Sequence, residues 1–202
     1  MNNAIFSFES PVNEKILYYE KGSTERKEMI RELEAQENKV LEIPLIIGGK
    51  EVKTGNTGTV VMPHKHQKVI AIYHKAGEAE AKMAIESALK AKEQWQAISW
   101  VERASIMLRA AELVSKKYRY KINAATMLGQ GKSVMQAEID AACEVIDYLR
   151  YNAYFASRIY HEQPKSNFDQ LNRLEYRPLE GFVYTITPFN FTAIASNLNM
   201  SV

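Results

Sequence analysis

Phe182-Val183-Tyr184-Thr185-Ile186-Thr187-Pro188-Phe189-Asn190-Phe191 is the stretch that decides how this chain is read. Phe182 to Ile186 form an unbroken apolar and β-branched run, the pattern of a strand buried on both faces in a parallel sheet. Pro188 ends it, and Phe191 to Val202 resume a helix-compatible pattern, so the order is strand, short loop, helix. Asn190 stands in the loop. Asparagine ranks with the best helix N-caps. In open α/β sheets, however, ligands bind outside the carboxyl ends of strands, where a side-chain amide can donate to a developing oxyanion. The residues alone leave both roles open. A central parallel strand also needs neighbours, and a parallel pair needs a crossover of about a dozen residues. The expectation is therefore an incomplete unit, a fragment or a piece of a larger assembly.

Upstream, Arg173 to Arg177 alternate polar and apolar, as a half-exposed strand does, and Pro178 keeps that strand off a sheet centre. Gln163 to Asn167 form a polar break. Before it, Met135, Ile139, Ala142, Ile146, Leu149, Ala153, Ala156 and Tyr160 recur at steps of three and four and predict a long helix. Trp100 to Tyr118 repeat that pattern, and so do Ala81, Ala84, Ala88, Ala91 and Trp95. Three such stripes can bury one another or cover a sheet. Residues 43–76 hold β-branched runs broken by Gly48-Gly49 and Gly55-Asn56-Thr57-Gly58, which predicts short antiparallel strands. Residues 23–39 predict a solvated surface helix capped by Ser23 or Thr24.

The composition is that of an ordinary globular protein: 202 residues, 46% hydrophobic and 25% charged. A net charge of +2 gives no general attraction to nucleic acid or to anionic membrane. One cysteine, Cys143, excludes an internal disulfide framework and fits a reducing compartment. The first residues lack signal-peptide and transit-peptide character, and no stretch approaches the roughly 20 apolar residues that span a bilayer. A cytoplasmic protein is expected.

Several motifs have bland readings. Gly129-Gln130-Gly131-Lys132-Ser133 looks like the tail of a phosphate-binding loop, but Thr126 occupies the first glycine position and the preceding segment reads as helix; a helix-ending turn fits better. His64 and His66 have no partners at metal-ligand spacing, so no metal is assigned. Cys143 reads as a small hydrophobe on a helix. Asp140, Glu144 and Asp147 form an acidic stripe whose simplest reading is a solvent face.

Taken together, Leu179-Glu180-Gly181-Phe182-Val183 through Thr187-Pro188-Phe189-Asn190-Phe191-Thr192-Ala193-Ile194, with Gly129 to Ser133 and Gln136 to Ala142 upstream, resemble the Δ1-pyrroline-5-carboxylate dehydrogenases, a branch of the aldehyde dehydrogenase superfamily. The likeness runs over nearly the whole chain, and Pro-Phe-Asn-Phe marks this branch where the wider superfamily carries tryptophan before the asparagine. The resemblance implies an α/β fold, the amino-terminal part of an aldehyde dehydrogenase leading into the first β-α unit of a Rossmann-like domain. It divides the chain into an amino-terminal helical extension (1–42), a strand-and-helix part of the NAD-binding domain (43–162), an oligomerisation strand (163–180) and a truncated strand-loop-helix (181–202).

The same resemblance implies NAD-dependent oxidation of L-glutamate γ-semialdehyde to L-glutamate in proline breakdown. Asn190 matches the oxyanion donor, Phe191 and Glu144 match substrate contacts, and Ile186, Thr187, Pro188 and Phe189 match the loop that lies against NAD. The nucleophilic cysteine, the general-base glutamate and the lysine that holds the cofactor ribose are expected beyond Val202, so these residues alone are expected to be inactive. A homo-oligomer is expected, with a small aldehyde as partner and neither nucleic acid nor membrane. The competing readings are a non-catalytic helical interaction module and a dehydrogenase for another semialdehyde.

Overall fold

The computed structural model describes residues 7–195. Helix α1 (Thr24–Glu37) starts at Ser23, whose hydroxyl accepts from the Arg26 N–H. It is not wholly solvated, as the sequence suggested, because Met29 is buried with Tyr19 and Ala124 where α1 lies on α4 (Arg119–Gln130). Five short strands follow: β1 (Leu41–Ile43), β2 (Leu45–Ile47), β3 (Lys50–Val52), β4 (Thr57–Met62) and β5 (Lys65–His74). β2 and β3 form an antiparallel hairpin across Gly48-Gly49, and β4 pairs antiparallel with β5. β1, however, pairs parallel with β5, Leu41 opposite Ala71. The expectation of antiparallel pairing throughout fails there because β2 to β4 together supply a crossover long enough for a parallel pair.

Helix α2 (Glu78–Ala97) forms where its alanine period predicts, yet it buries no residue. It meets the β2–β3 hairpin, where Ser87 lies beside Gly48; its alanine stripe, Met83, Leu89 and Trp95 stay exposed. Helix α3 (Trp100–Leu113) begins with a reciprocal cap between Ser99 and Glu102 and packs on α6 (Glu144–His161).

Two π-helical turns interrupt the helical layer, Val114–Tyr118 between α3 and α4, and Glu138–Cys143 between α5 (Val134–Ala137) and α6. A π turn holds one more residue than an α turn, so a stripe read at 3.6 residues changes face across it. Ile139, assigned to the apolar stripe from its spacing, is consequently 41% exposed, whereas Glu138 is 0% exposed. Beyond the turn the stripe holds, with Ala142, Ile146, Leu149 and Ala153 buried.

Neither strand expected after residue 162 forms. Over 173–177 no strand forms; the Gln163 amide oxygen takes the place of a partner locally, accepting from Leu174 N at 2.8 Å. Tyr176 rests its edge on Tyr160 with ring centroids 5.4 Å apart. Residues 182–186 likewise form no strand, and Tyr184 is 78% exposed instead of buried. A strand exists only through hydrogen bonds to a neighbouring one, and no strand of the described residues lies alongside. Helical geometry resumes at Ile194 and Ala195; the rest of the expected helix, 196–202, lies outside the described residues. Asn190 shares a turn with Phe189 four residues before that helix, so the N-cap reading is not met.

Candidate active site

The turn at Phe189-Asn190 is seated from both sides. Downstream, Ala193 and Ile194 are buried in the main apolar cluster with Ala111, Ala142, Val145, Ile146 and Leu149, and Phe191 packs against it. Upstream lies the end of α4, where Gly131 adopts a left-handed backbone with φ of 66° and donates its N–H to Met127 O. This is the glycine-ended helix that the sequence predicted for Gly129 to Ser133, since a side chain at that φ would strain the backbone. The reversal delivers two side chains to the turn. Gln130 Nε2 donates to Phe189 O at 3.1 Å, and Lys132 Nζ donates to Asn190 O at 2.7 Å. The Lys132 ammonium also sits 4.7 Å from the centre of the Phe191 ring and forms an ion pair with Asp140. The Thr126 and Thr192 hydroxyls, 2.7 Å apart, close the arrangement.

Asp140 is thus mostly covered and paired, and Asp147 accepts from Asn13 Nδ2 and Glu14 N at 2.9 and 2.6 Å. The acidic stripe is not the free solvent face its spacing suggested. Burial raises the Glu144 carboxyl above its ordinary range, the negative Asp140 adds to this, and Lys132 opposes it. Two acceptors near the turn, Asp140 Oδ1 and Gln130 Oε1, are buried without a hydrogen-bond partner among the described residues. Of the residues singled out from sequence, Asn190 and Phe191 lie on the turn over Lys132, with Glu144 one helical turn beyond Asp140. Ile186, Thr187, Pro188 and Phe189 run up to the turn as an exposed segment. His64 and His66 are exposed at the β4–β5 connection, and His64 lines a cavity together with Gly131 and Lys132.

Sequence reasoning missed Lys132 as a contact of the turn; its place in the Gly-Gln-Gly-Lys-Ser block was the available signal. It also missed a second buried polar centre. Glu138 accepts from Tyr19 Oη at 2.6 Å, Asn123 Nδ2 at 2.9 Å and Leu17 N at 2.8 Å, and is paired with Arg119. Arg119 continues to Glu14 at 2.7 Å, and Arg150 meets the other Glu14 oxygen at 2.6 Å. Burial works to raise the Glu138 carboxyl, but Arg119, Tyr19 and the Leu17 N–H outweigh it and hold the group below its usual range. Cys143 lies 3.4 Å from Arg119 in the same centre, where burial and the neighbouring Glu138 push its thiol up to about 12. A thiol so held is not a thiolate nucleophile at neutral pH.

Residues 51–201 match the model of the aldehyde dehydrogenase family. The chain belongs to the aldehyde dehydrogenase family. Within it, the chain is 50% identical over 199 residues to a probable delta-1-pyrroline-5-carboxylate dehydrogenase of Schizosaccharomyces pombe, an alignment covering 96% of this chain and 36% of the relative. It is 46% identical to a mitochondrial delta-1-pyrroline-5-carboxylate dehydrogenase of Dictyostelium discoideum, covering 94% of this chain and 34% of that one. Among aldehyde dehydrogenases of known structure, the Delta-pyrroline-5-carboxylate dehydrogenase of Mycobacterium tuberculosis, crystallised with NAD bound, superposes with a TM-score of 0.95 at 46% identity; the match covers 98% of this chain and 37% of that one. The chain therefore spans about a third of the length of the curated aldehyde dehydrogenases it matches. No helix among the described residues is long and apolar enough to cross a membrane.

Proposed function

We propose that these residues serve in an NAD-dependent dehydrogenase that oxidises L-glutamate γ-semialdehyde to L-glutamate, as the segment that supplies the oxyanion donor and part of the substrate and cofactor sites. The observation that carries this reading is the seat of the Asn190-Phe191 turn on Lys132, beside Asp140 and Glu144. The Asn190 side-chain NH₂ donates to the oxygen of the aldehyde as negative charge develops there, and the fixed turn means that no reorganisation is needed when it does. Phe191 offers an apolar ring to the aliphatic part of the substrate. Glu144, with its raised carboxyl, stands as the polar group near the aldehyde.

Ile186 to Phe189 form an exposed segment with apolar side chains at both ends, which fits the flat, partly apolar surface of a dinucleotide. When bound there, NAD supplies the hydride acceptor. The buried, proton-holding Cys143 does not suit nucleophilic attack, so this reading draws the attacking cysteine from outside the 202 residues. The exposed apolar side chains of 163–180, Phe168, Leu171 and Leu179 among them, support that segment as an oligomer contact. The compartment proposed is the cytoplasm; recovery of the protein with mitochondria on cell fractionation, as the name of the Dictyostelium relative would suggest, would overturn it.

The deciding experiment is Asn190→Ala in the product of the complete reading frame that contains these residues. A fall in kcat of about 10²–10³ is expected with the fold retained, and near-normal turnover would remove the oxyanion role. Steady-state assays should favour glutamate γ-semialdehyde over succinate semialdehyde; the reverse preference defeats the substrate assignment.

A further inference from the structure

Among the described residues the Lys132 ammonium makes three polar or ring contacts, and two of them are with the turn that carries the proposed chemistry. It donates to the Asn190 carbonyl at 2.7 Å, lies 4.7 Å from the centre of the Phe191 ring, and is anchored by Asp140 from the π-helical turn Glu138–Cys143. The Lys132 and Asp140 side chains are only 19% and 18% exposed, so solvent competes weakly for the pair. The Asn190 side chain itself is exposed and, among the described residues, no side-chain hydrogen bond holds its amide, so the aim of that amide depends on where its backbone is fixed. The second fastening, Gln130 to Phe189 O, holds the peptide that enters Asn190, and Lys132 holds the peptide that leaves it toward Phe191.

We infer that Lys132, held by Asp140, is a positioning residue that fixes the peptide of Asn190 and the ring of Phe191 in one geometry, and so acts on catalysis through the Asn190 amide. The inference rests on the oxyanion reading given above. A displacement of about 1 Å in a catalytic group is enough to cost on the order of 10²-fold in rate. Two residues that act through one group also show effects that do not multiply, which a merely structural lysine would not reproduce.

The test is a double-mutant cycle in the product of the complete reading frame, with kcat as the readout and thermal unfolding as the check on folding. Lys132→Met is expected to lower kcat about 30- to 100-fold. Lys132→Arg, which keeps a charged donor, should recover turnover to within about fivefold of the parent. On an Asn190→Ala background, Lys132→Met should change kcat by less than about threefold, because the group it positions is gone. If Lys132→Met fails to fold, Asp140→Asn takes its place, with a loss of about tenfold expected in the parent and almost none beside Asn190→Ala.

Multiplicative losses, or normal turnover in Lys132→Met, overturn the positioning role. The two readings fail differently. Normal turnover in Asn190→Ala removes the oxyanion assignment and this inference with it, whereas a crippled Asn190→Ala beside a normal Lys132→Met removes only the inference.

Discussion

Glu144 and Cys143 are adjacent in sequence, and burial acts on both in the same direction, holding the proton on. For Glu144 the native carboxyl binds its proton more tightly than the unfolded one, whose ordinary value is 4.5. Its ionisation therefore opposes folding, a cost that is absent below the unfolded value and complete above the raised native one. Glu144→Gln is accordingly expected to raise the thermal midpoint at about pH 8 and to leave it unchanged at about pH 4; a lower midpoint at the higher pH would contradict the raised carboxyl. Cys143, with its thiol pushed up to about 12, should be alkylated by iodoacetamide at about pH 8 more than about 100-fold more slowly in the native protein than in denaturant. Comparable rates in mass spectra of the two samples would show the thiol to be accessible. Asn190 was legible as a residue of interest from its place after an apolar run. That its carbonyl is tied to Lys132 was not, because 58 positions separate the two.

At the scale of elements, the two π-helical turns set what the helical layer encloses. Each shifts the helix face by one residue, and together they bring Arg119 and Glu138 inward, where Tyr19, Asn123 and Glu14 complete the set. The segment from Asn13 to Tyr19 is bound to the helices largely by these polar contacts. Removing one partner of a buried pair leaves an uncompensated charge, so Glu138→Ala should destabilise by about 3–5 kcal/mol in urea unfolding of the complete protein. Replacing Arg119 and Glu138 together by apolar residues should cost clearly less than the two single changes added; simple additivity would argue that the residues are not coupled. Because Glu138 is held below the ordinary carboxyl range, its contribution is present above that range and is lost as pH falls through the native value. The helices themselves were readable from period, and for α1 from its cap at Ser23, whereas the caps at Ser99 and Ser133, each accepting from a backbone N–H in the first turn, were not singled out. The slip at Ile139 was not, since a π turn leaves no mark in hydrophobic spacing until the helix is packed.

At the scale of the whole molecule, an exposed face of α2 and the exposed apolar side chains of 182–186 present surface that ordinary globular packing would cover. Hydrogen exchange is the direct measure. Amides of Phe182, Val183, Tyr184 and Ile186 should exchange faster in the 202-residue chain than in the product of the complete reading frame; equal rates in both would mean that no neighbouring strand is acquired. Sequence by itself determined the helices, the glycine stop at 131 and the family resemblance, because propensity, period and turn chemistry act over a few neighbouring residues. Only the tertiary structure decided that β1 runs parallel to β5, that Glu138 is inside and Ile139 outside, and that Lys132 grips the Asn190 turn. These depend on which distant surfaces meet, and a buried ion pair or a strand partner is defined by that meeting alone.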